Sequence, residues 1–388
     1  MYSGKILFTN LRLIHKTVLL WRMMKIGIIT GYLESLAHPS LQEQYDNTGL
    51  ITGDAGWECS GIICSLDATE EVVKEAIAKK CNLIVAHHPI IFGGLKKING
   101  KNYVEKAIIT AIKNDIAIYA IHTNLDNVLH GVSGRMAQIL GLKKISILSH
   151  KDNTLKKLFT FAPVDKAGQV RNAIFIAGGG HIGNYSEASF NAEGIGTFKA
   201  NEGANPFVGE VGKQHQEKEI KIEIIFPAFL ESKIVAALKA AHPYEEVAYD
   251  VVSLSNTNQS TGSGVIGELS EAVDEKQFLT DLKQVFKVPV VRHTALSGKP
   301  IKKVALCGGA GSFLISKALS AGADAYITAD IKYHEFFDAN NRLLIADIGH
   351  YESEQFTINL LQEILEQKFP TFAVLKTEVK TNPVNYFF

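Results

Sequence analysis

From Ser60 onward the apolar positions of the chain fall into two alternating rhythms. GIICSLD is a β-branched run, TEEVVKEAIAKK repeats its apolar positions at helical spacing, and NLIVA is a second short apolar run. A further helical stretch, VEKAIITAIKN, leads to the strand-like IAIYAIH, and GVSGRMAQILGL precedes KKISIL. Strands that alternate with helices, and that are apolar throughout rather than at every second position, predict a mostly parallel sheet covered on both faces. After about Lys151 the rhythm changes. LFTFAP, VDKAGQVRNAIFIA, SEASFNAEG, EIKIEIIFP, AFLESKIVAALKAA and EEVAYDVVSL read as strand, helix, strand, strand, helix, strand, the ferredoxin-like order, which closes as a small domain of its own. SNTNQSTGSG reads as the way out.

Beyond it the first rhythm returns with KKVALC, the turn GGAGS, the helix FLISKALSAG, the strands ADAYITA and RLLIADI, and a last helix. KKCNLIVAHHPI parallels SAGADAYITADIKYH, and NDIAIYAIHTNLD parallels NRLLIADIGHYESE, so the two outer parts read as structural repeats. The predicted fold is therefore a split α/β domain of two similar halves, residues 24–150 and 256–388, with a ferredoxin-like domain inserted at 151–255. Residues 1–23 carry Lys5, Arg12, Lys16 and Arg22 without an acid, and read as an unpatterned extension upstream of a start near Met24, with a transit peptide as the alternative.

Composition changes this picture little. Forty basic residues balance forty acidic ones, so charge points to no nucleic-acid partner. Cys59, Cys64, Cys81 and Cys307 form no CxxC pair, which fits a reducing cytoplasm. No apolar run reaches the roughly 20 residues of a membrane span, so no membrane partner is expected.

In open parallel sheets, ligands bind beyond the carboxyl ends of the strands. His87 and His88 follow NLIVA, Asp126 follows IAIYAIHT, and His350 follows RLLIADI, with Glu354 one helical turn later. Adjacent histidines project in different directions, which suits two ions better than one, and the i, i+4 spacing of His350 and Glu354 puts both on one helix face. Glu354 or Asp126 could bridge. Imidazole and carboxylate donors suit zinc, iron, manganese, cobalt or nickel, and no cysteine is expected nearby. His122 and His334 also follow strands and are expected to support the ligands or face a substrate. GGGHIG at 178–183 matches GxGxxG but lacks the strand before and helix after that a dinucleotide site needs. The GGAGS run could hold an anion on its N–H groups or be a plain tight turn. No GxxxxGK[ST] motif is present.

At these residues the chain resembles the Nif-three-like dinuclear-metal family, the GTP cyclohydrolase I type 2 homologs, in their longer form with a PII/CutA-like insert. SLQEQYDNTGLITGD, SLDAT, VAHHPIIFGG, AIHTNLDNV, HPYEEVAYD, GGAGS, ITADIKYHEF and DIGHYESE carry the resemblance, in order. It implies that His87, His88, Asp126, His350 and Glu354 hold two divalent ions per subunit. It also implies a ring-shaped homohexamer whose inserted domain caps the ring, with 201–216 as a long access loop. The expected function is a metal-dependent hydrolase acting on a nucleotide or other phosphorylated small molecule, with His122, His334 and Glu352 as candidate general acids. The alternative is a non-enzymatic metal-storage or delivery protein using the same ligands.

Overall fold

Short strands buried on both faces, three in the first outer half and two in the second, form the centre of this protein's outer halves. The computed structural model describes residues 24–387, so the extension expected at 1–23 lies outside the described residues. The strands are, in order, β1 Gly49–Thr52, β2 Ile62–Ser65, β3 Leu83–Ala86, β4 Ala117–Ala120, β5 Lys143–His150, β6 Leu155–Pro163, β7 Phe190–Lys199, β8 Gln214–Pro227, β9 Tyr249–Ser253, β10 Gly262–Val273, β11 Arg292–His293, β12 Ile301–Ala310, β13 Ala325–Ala329, β14 Leu344–Asp347 and β15 Val374–Lys376. The chain divides into two compact units, one running to Ser149 and resuming at Gly262, the other spanning His150–Thr261.

In the first unit one sheet has the order β1-β4-β3-β2-β15 and the other β11-β14-β13-β12-β10-β5. Strands β2, β3 and β4 are parallel, as are β12, β13 and β14, and an antiparallel edge strand flanks the third member of each trio. The halves are similar, and the repeat legible in the sequence is the repeat of the fold. Alternation along the strands decides what covers each face. Ile62, Cys64, Leu83 and Val85 pack with helices Ile26–Leu36 and Thr357–Lys368, while Ile63, Ile84 and Ile118 pack with helices Glu70–Ala78 and Tyr103–Lys113. These last two helices start where their caps dictate. Thr69 accepts from the Val72 N–H and Asn102 from the Glu105 N–H, each worth about 1 kcal/mol. Helix Thr357–Lys368 belongs to the second half by sequence, yet it packs on the first sheet, and β15 after it pairs with β2. Helix Val132–Ile139 makes the reverse crossing, burying Met136 and Ala137 against the second sheet. The halves are thus interlocked.

The second unit pairs its strands in the order β7-β8-β6-β9, all neighbours antiparallel, with helices Ala167–Ile176 and Glu231–Ala241 after β6 and β8. The loop expected over 201–216 is shorter than that, because β7 runs to Lys199 and β8 already begins at Gln214. GGAGS is likewise not a turn after β12, since that strand continues through Gly308, Gly309 and Ala310. The N–H groups of Gly308 and Gly309 are spent on the hydroxyls of Ser133 (3.3 Å) and Ser353 (2.9 Å), so they hold no external anion. No helix among the described residues is long and apolar enough to cross a membrane.

Candidate metal centre

The carboxyl ends of β2, β3, β4, β13 and β14 deliver Asp67, His87 and His88, His122, Asp330 and His350 to one place. Two short helices refine the delivery: Thr123–Asp126 follows β4, and His350–Glu354 follows β14 through Gly349, whose φ of +90° only glycine adopts freely. The cavity above them has a volume of about 1000 Å³, and His88, His122, Asp126, His350 and Glu354 line it. His87 lies fully buried beneath.

Each imidazole is pinned at Nδ1. His87 donates to the Ile121 carbonyl at 2.8 Å, His88 to Asp67 at 2.8 Å, His122 to Asp46 at 2.8 Å and His350 to Asp330 at 2.6 Å. Asp46 is itself held by the Thr123 N–H at 3.0 Å and by the Thr123 hydroxyl, and Asp67 by the Thr381 hydroxyl at 2.6 Å. With Nδ1 held in this way, Nε2 is the ring atom left to face a metal, the arrangement in which a second group orients a metal-ligating histidine. Nε2 of His88 and of His350 lie 3.0 and 3.2 Å from Glu354 Oε2, while Nε2 of His87 lies 3.9 Å from Glu354 Oε1. Glu354 therefore turns one oxygen to each side.

Two atoms at the bottom of the cavity have no hydrogen-bond partner: His87 Nε2 and Asp126 Oδ1. They stand 3.7 Å apart. A buried polar atom left unpaired costs about 1–3 kcal/mol, so two in one spot need a reason. An ion with bonds of about 2.1 Å to each could span that gap, and the residues fit one. Among the described residues, donor atoms gather within 4.8 Å of one another in two sets, His87 with His88 and His122, and His88 with His350 and Glu354. These buried groups could hold metal.

Electrostatics tell the same story from the protonated side. Burial pushes His87 down to about 3, so it is neutral and free to act as a ligand. Burial also opposes a charge on His88 and His350, but the carboxylates beside them outweigh it and lift the two to about 9 and about 11. Burial likewise disfavours the Glu354 carboxylate, and the hydrogen bonds from His350 and His88 overcome this and hold it well below its usual range. Asp126 goes the other way, raised by burial and by the Glu354 charge. Protons here occupy the places that cations would take.

The five residues read from strand ends all reach this centre, and His122 joins them, its ring centroid 5.2 Å from that of His87 and 5.3 Å from that of His88. His334 does not. It is exposed on the turn Tyr333–Ala339, edge-on to the Tyr333 ring, and does not line the cavity, so it is no candidate acid here. Glu352 is buried, accepts from Asn382 at 3.0 Å, and lines an adjoining pocket of about 350 Å³ that shares Asp67, His88 and His350 with the cavity. The expectation of no nearby cysteine is also corrected, because Cys307 lines the cavity. Burial pushes its thiol up to about 12 and its Sγ–H leans on the Gly308 carbonyl, so it offers no thiolate. Sequence reasoning missed Asp46, Asp67 and Asp330, although each lies in a motif already singled out. Gly309 was missed as well: a Cβ there would sit 2.3 Å from Glu354 Oε1.

The family model for DUF34/NIF3 (NGG1p interacting factor 3) matches residues 24–383, the length over which these elements lie. The chain belongs to the DUF34/NIF3 family. Among relatives of this DUF34/NIF3 protein, a GTP cyclohydrolase 1 type 2 homolog of Halalkalibacterium halodurans is 40% identical over 352 residues, covering 89% of this chain and 95% of the relative. One from Bacillus subtilis is 38% identical over 347 residues, covering 88% and 93%. The crystal structure of a Bacillus cereus protein related to NIF3 superposes with a TM-score of 0.82 at 38% identity, over 94% of this chain and all (100%) of that one.

Proposed function

We propose that this DUF34/NIF3 protein carries two divalent metal ions on His87, His88, Asp126, His350 and Glu354 and acts as a metal-dependent hydrolase on a small molecule of nucleotide size. The observation that carries the reading is the buried pair His87 Nε2 and Asp126 Oδ1, both without partners and 3.7 Å apart. Glu354, with Oε1 toward His87 and Oε2 toward His88 and His350, would be the residue to serve both ions. Bound divalent ions supply Lewis acidity and bring the pKa of water toward about 7.

The chain supplies the rest. The Ile121 carbonyl, Asp67 and Asp330 keep the Nδ1 protons in place, so that Nε2 of His87, His88 and His350 faces inward. His122, fixed by Asp46, lines the cavity and can take a proton from the attacking water at Nε2 and pass it to a leaving group. A cavity of about 1000 Å³ admits a nucleotide or a phosphorylated small molecule. The relatives' name would make opening of a purine ring one member of this class. A cytoplasmic homohexamer enclosing the centres belongs to the same reading.

The deciding experiment is elemental analysis of protein purified without added metal, followed by mass spectrometry of products from a nucleotide panel. About two ions per chain with metal-dependent turnover is the expected result. Metal without turnover would favour storage or delivery, and no metal would overturn the reading. Replacing His88 and Asp126 together should empty at least one position while the fold persists.

A further inference from the structure

The walls of the cavity differ from its floor. Tyr45, Phe92, Tyr103 and Phe313 line it from four separate segments, and each leaves more than half its surface uncovered, at 71%, 54%, 69% and 64%. Phe92 stands edge-on to the His122 ring at 5.7 Å between centroids, so the aromatic wall begins where the donor floor ends. Among the described residues lining the cavity, none is Lys or Arg, whereas Glu43, Asp67, Asp126 and Glu354 are acidic. Even two divalent ions, +4 in all, would only balance those four carboxylates. A polyphosphate chain of about −4 would then meet no net positive field and none of the basic side chains that ordinarily clamp phosphates. Exposed aromatic faces with no cationic partner suit a flat ring, whose stacking is tolerant of ring identity.

We infer that the substrate of this centre presents a planar heteroaromatic ring of nucleobase size to Phe92, Tyr45, Tyr103 and Phe313 and carries at most one phosphate. The inference rests on the hydrolase reading above but uses different residues, so the two can fail separately.

The test is equilibrium binding to the metal-replete protein at low ionic strength, using purine and pyrimidine nucleosides, each with its mono- and triphosphate, and ribose 5-phosphate as the ringless control. At least one nucleoside or monophosphate should bind more tightly than its triphosphate by about tenfold or more. Phe92→Ala and Phe313→Ala should each weaken that ligand by about 5- to 150-fold and leave ribose 5-phosphate unchanged. Full metal content in the variants shows that the floor is intact. A triphosphate that binds most tightly, unaltered ring affinity in both variants, or no binding by any probe at full metal loading would overturn the inference while leaving the metal centre standing. If the aromatic substitutions instead change the molecular mass in solution and not ring binding, the four side chains form an interface between copies, and the inference falls.

Discussion

The two halves of the split domain reach the same cavity with different chemistry. In the first half, β2, β3 and β4 end in Asp67, in His87 and His88, and in His122 with Asp126 close behind. At the equivalent strands of the second half, β12 runs through Gly308 and Gly309 to Ala310, β13 is followed by Asp330, and β14 by His350 and then Glu354. The first half is donor-rich and deep, with His87 wholly buried; the second is sparse, and its His350 and Asp330 side chains are 40% and 53% exposed. In the first half Asp67 holds His88; in the second, Gly309 leaves open the space in which Glu354 lies. A duplicated fold has thus kept its strand ends and divided the work. One half supplies most of the donors, and the other supplies the carboxylate that all three imidazoles of the proposed set face.

The largest effect should come from removing that carboxylate. Glu354→Ala should lose more metal affinity than the roughly 10–100-fold expected of a supporting residue, and elemental analysis after dialysis should find the chain nearly empty. Retention of full metal would show that the second half is dispensable. Gly309→Ala tests the same carboxylate from behind. With φ at +65° and Glu354 Oε1 in its way, the new methyl should displace Glu354, costing about 1–3 kcal/mol in thermal or denaturant unfolding and part of the metal.

Asp67→Asn and Asp330→Asn compare the supports directly. Each should weaken metal binding by about 10–100-fold, and the Asp67 change should be the larger because its carboxylate is more buried and also holds Thr381. Equal effects would remove the contrast in depth between the halves. A pH series sharpens it further. In metal-free protein the pKa values of His88 and His350 are raised to about 9 and about 11, so the stability from their pairing with carboxylates is complete below about 6.5 and lost as pH climbs through those values. His87, lowered to about 3, works in the opposite sense and destabilises the fold as pH falls below about 6.5. The melting temperature of metal-free protein should accordingly decline from neutral pH toward pH 9, while metal affinity rises over the same interval because binding displaces the His88 and His350 protons. The smallest effect is expected of His334→Ala, within about 0.5 kcal/mol in stability and without change in metal content.

Much of this was legible before the coordinates. Buried parallel strands announce themselves as apolar runs, and the strand-end rule then selects His87, His88, Asp126, His350 and Glu354 without any distance. The same rule overreached at His334, because it says where a residue begins its course and not which way the following turn carries it. The supporting carboxylates escaped notice for a related reason. Asp67 meets His88 across two strands, Asp46 meets His122 from a loop 76 residues earlier, and Asp330 meets His350 across another strand pair. No local periodicity marks such pairs.

By itself the sequence determined the α/β alternation, the repeat of the outer halves and the residue types at the strand ends, since these depend on local propensity and on the period of apolar positions. Only the tertiary structure decided that helix Thr357–Lys368 and β15 cross to the first sheet, that β12 runs straight through its glycines, and that Glu354 lies among three imidazoles. These features depend on contacts between residues far apart in the chain, as in the 266 residues separating His88 from Glu354, and such contacts form only when two sheets are closed against shared helices.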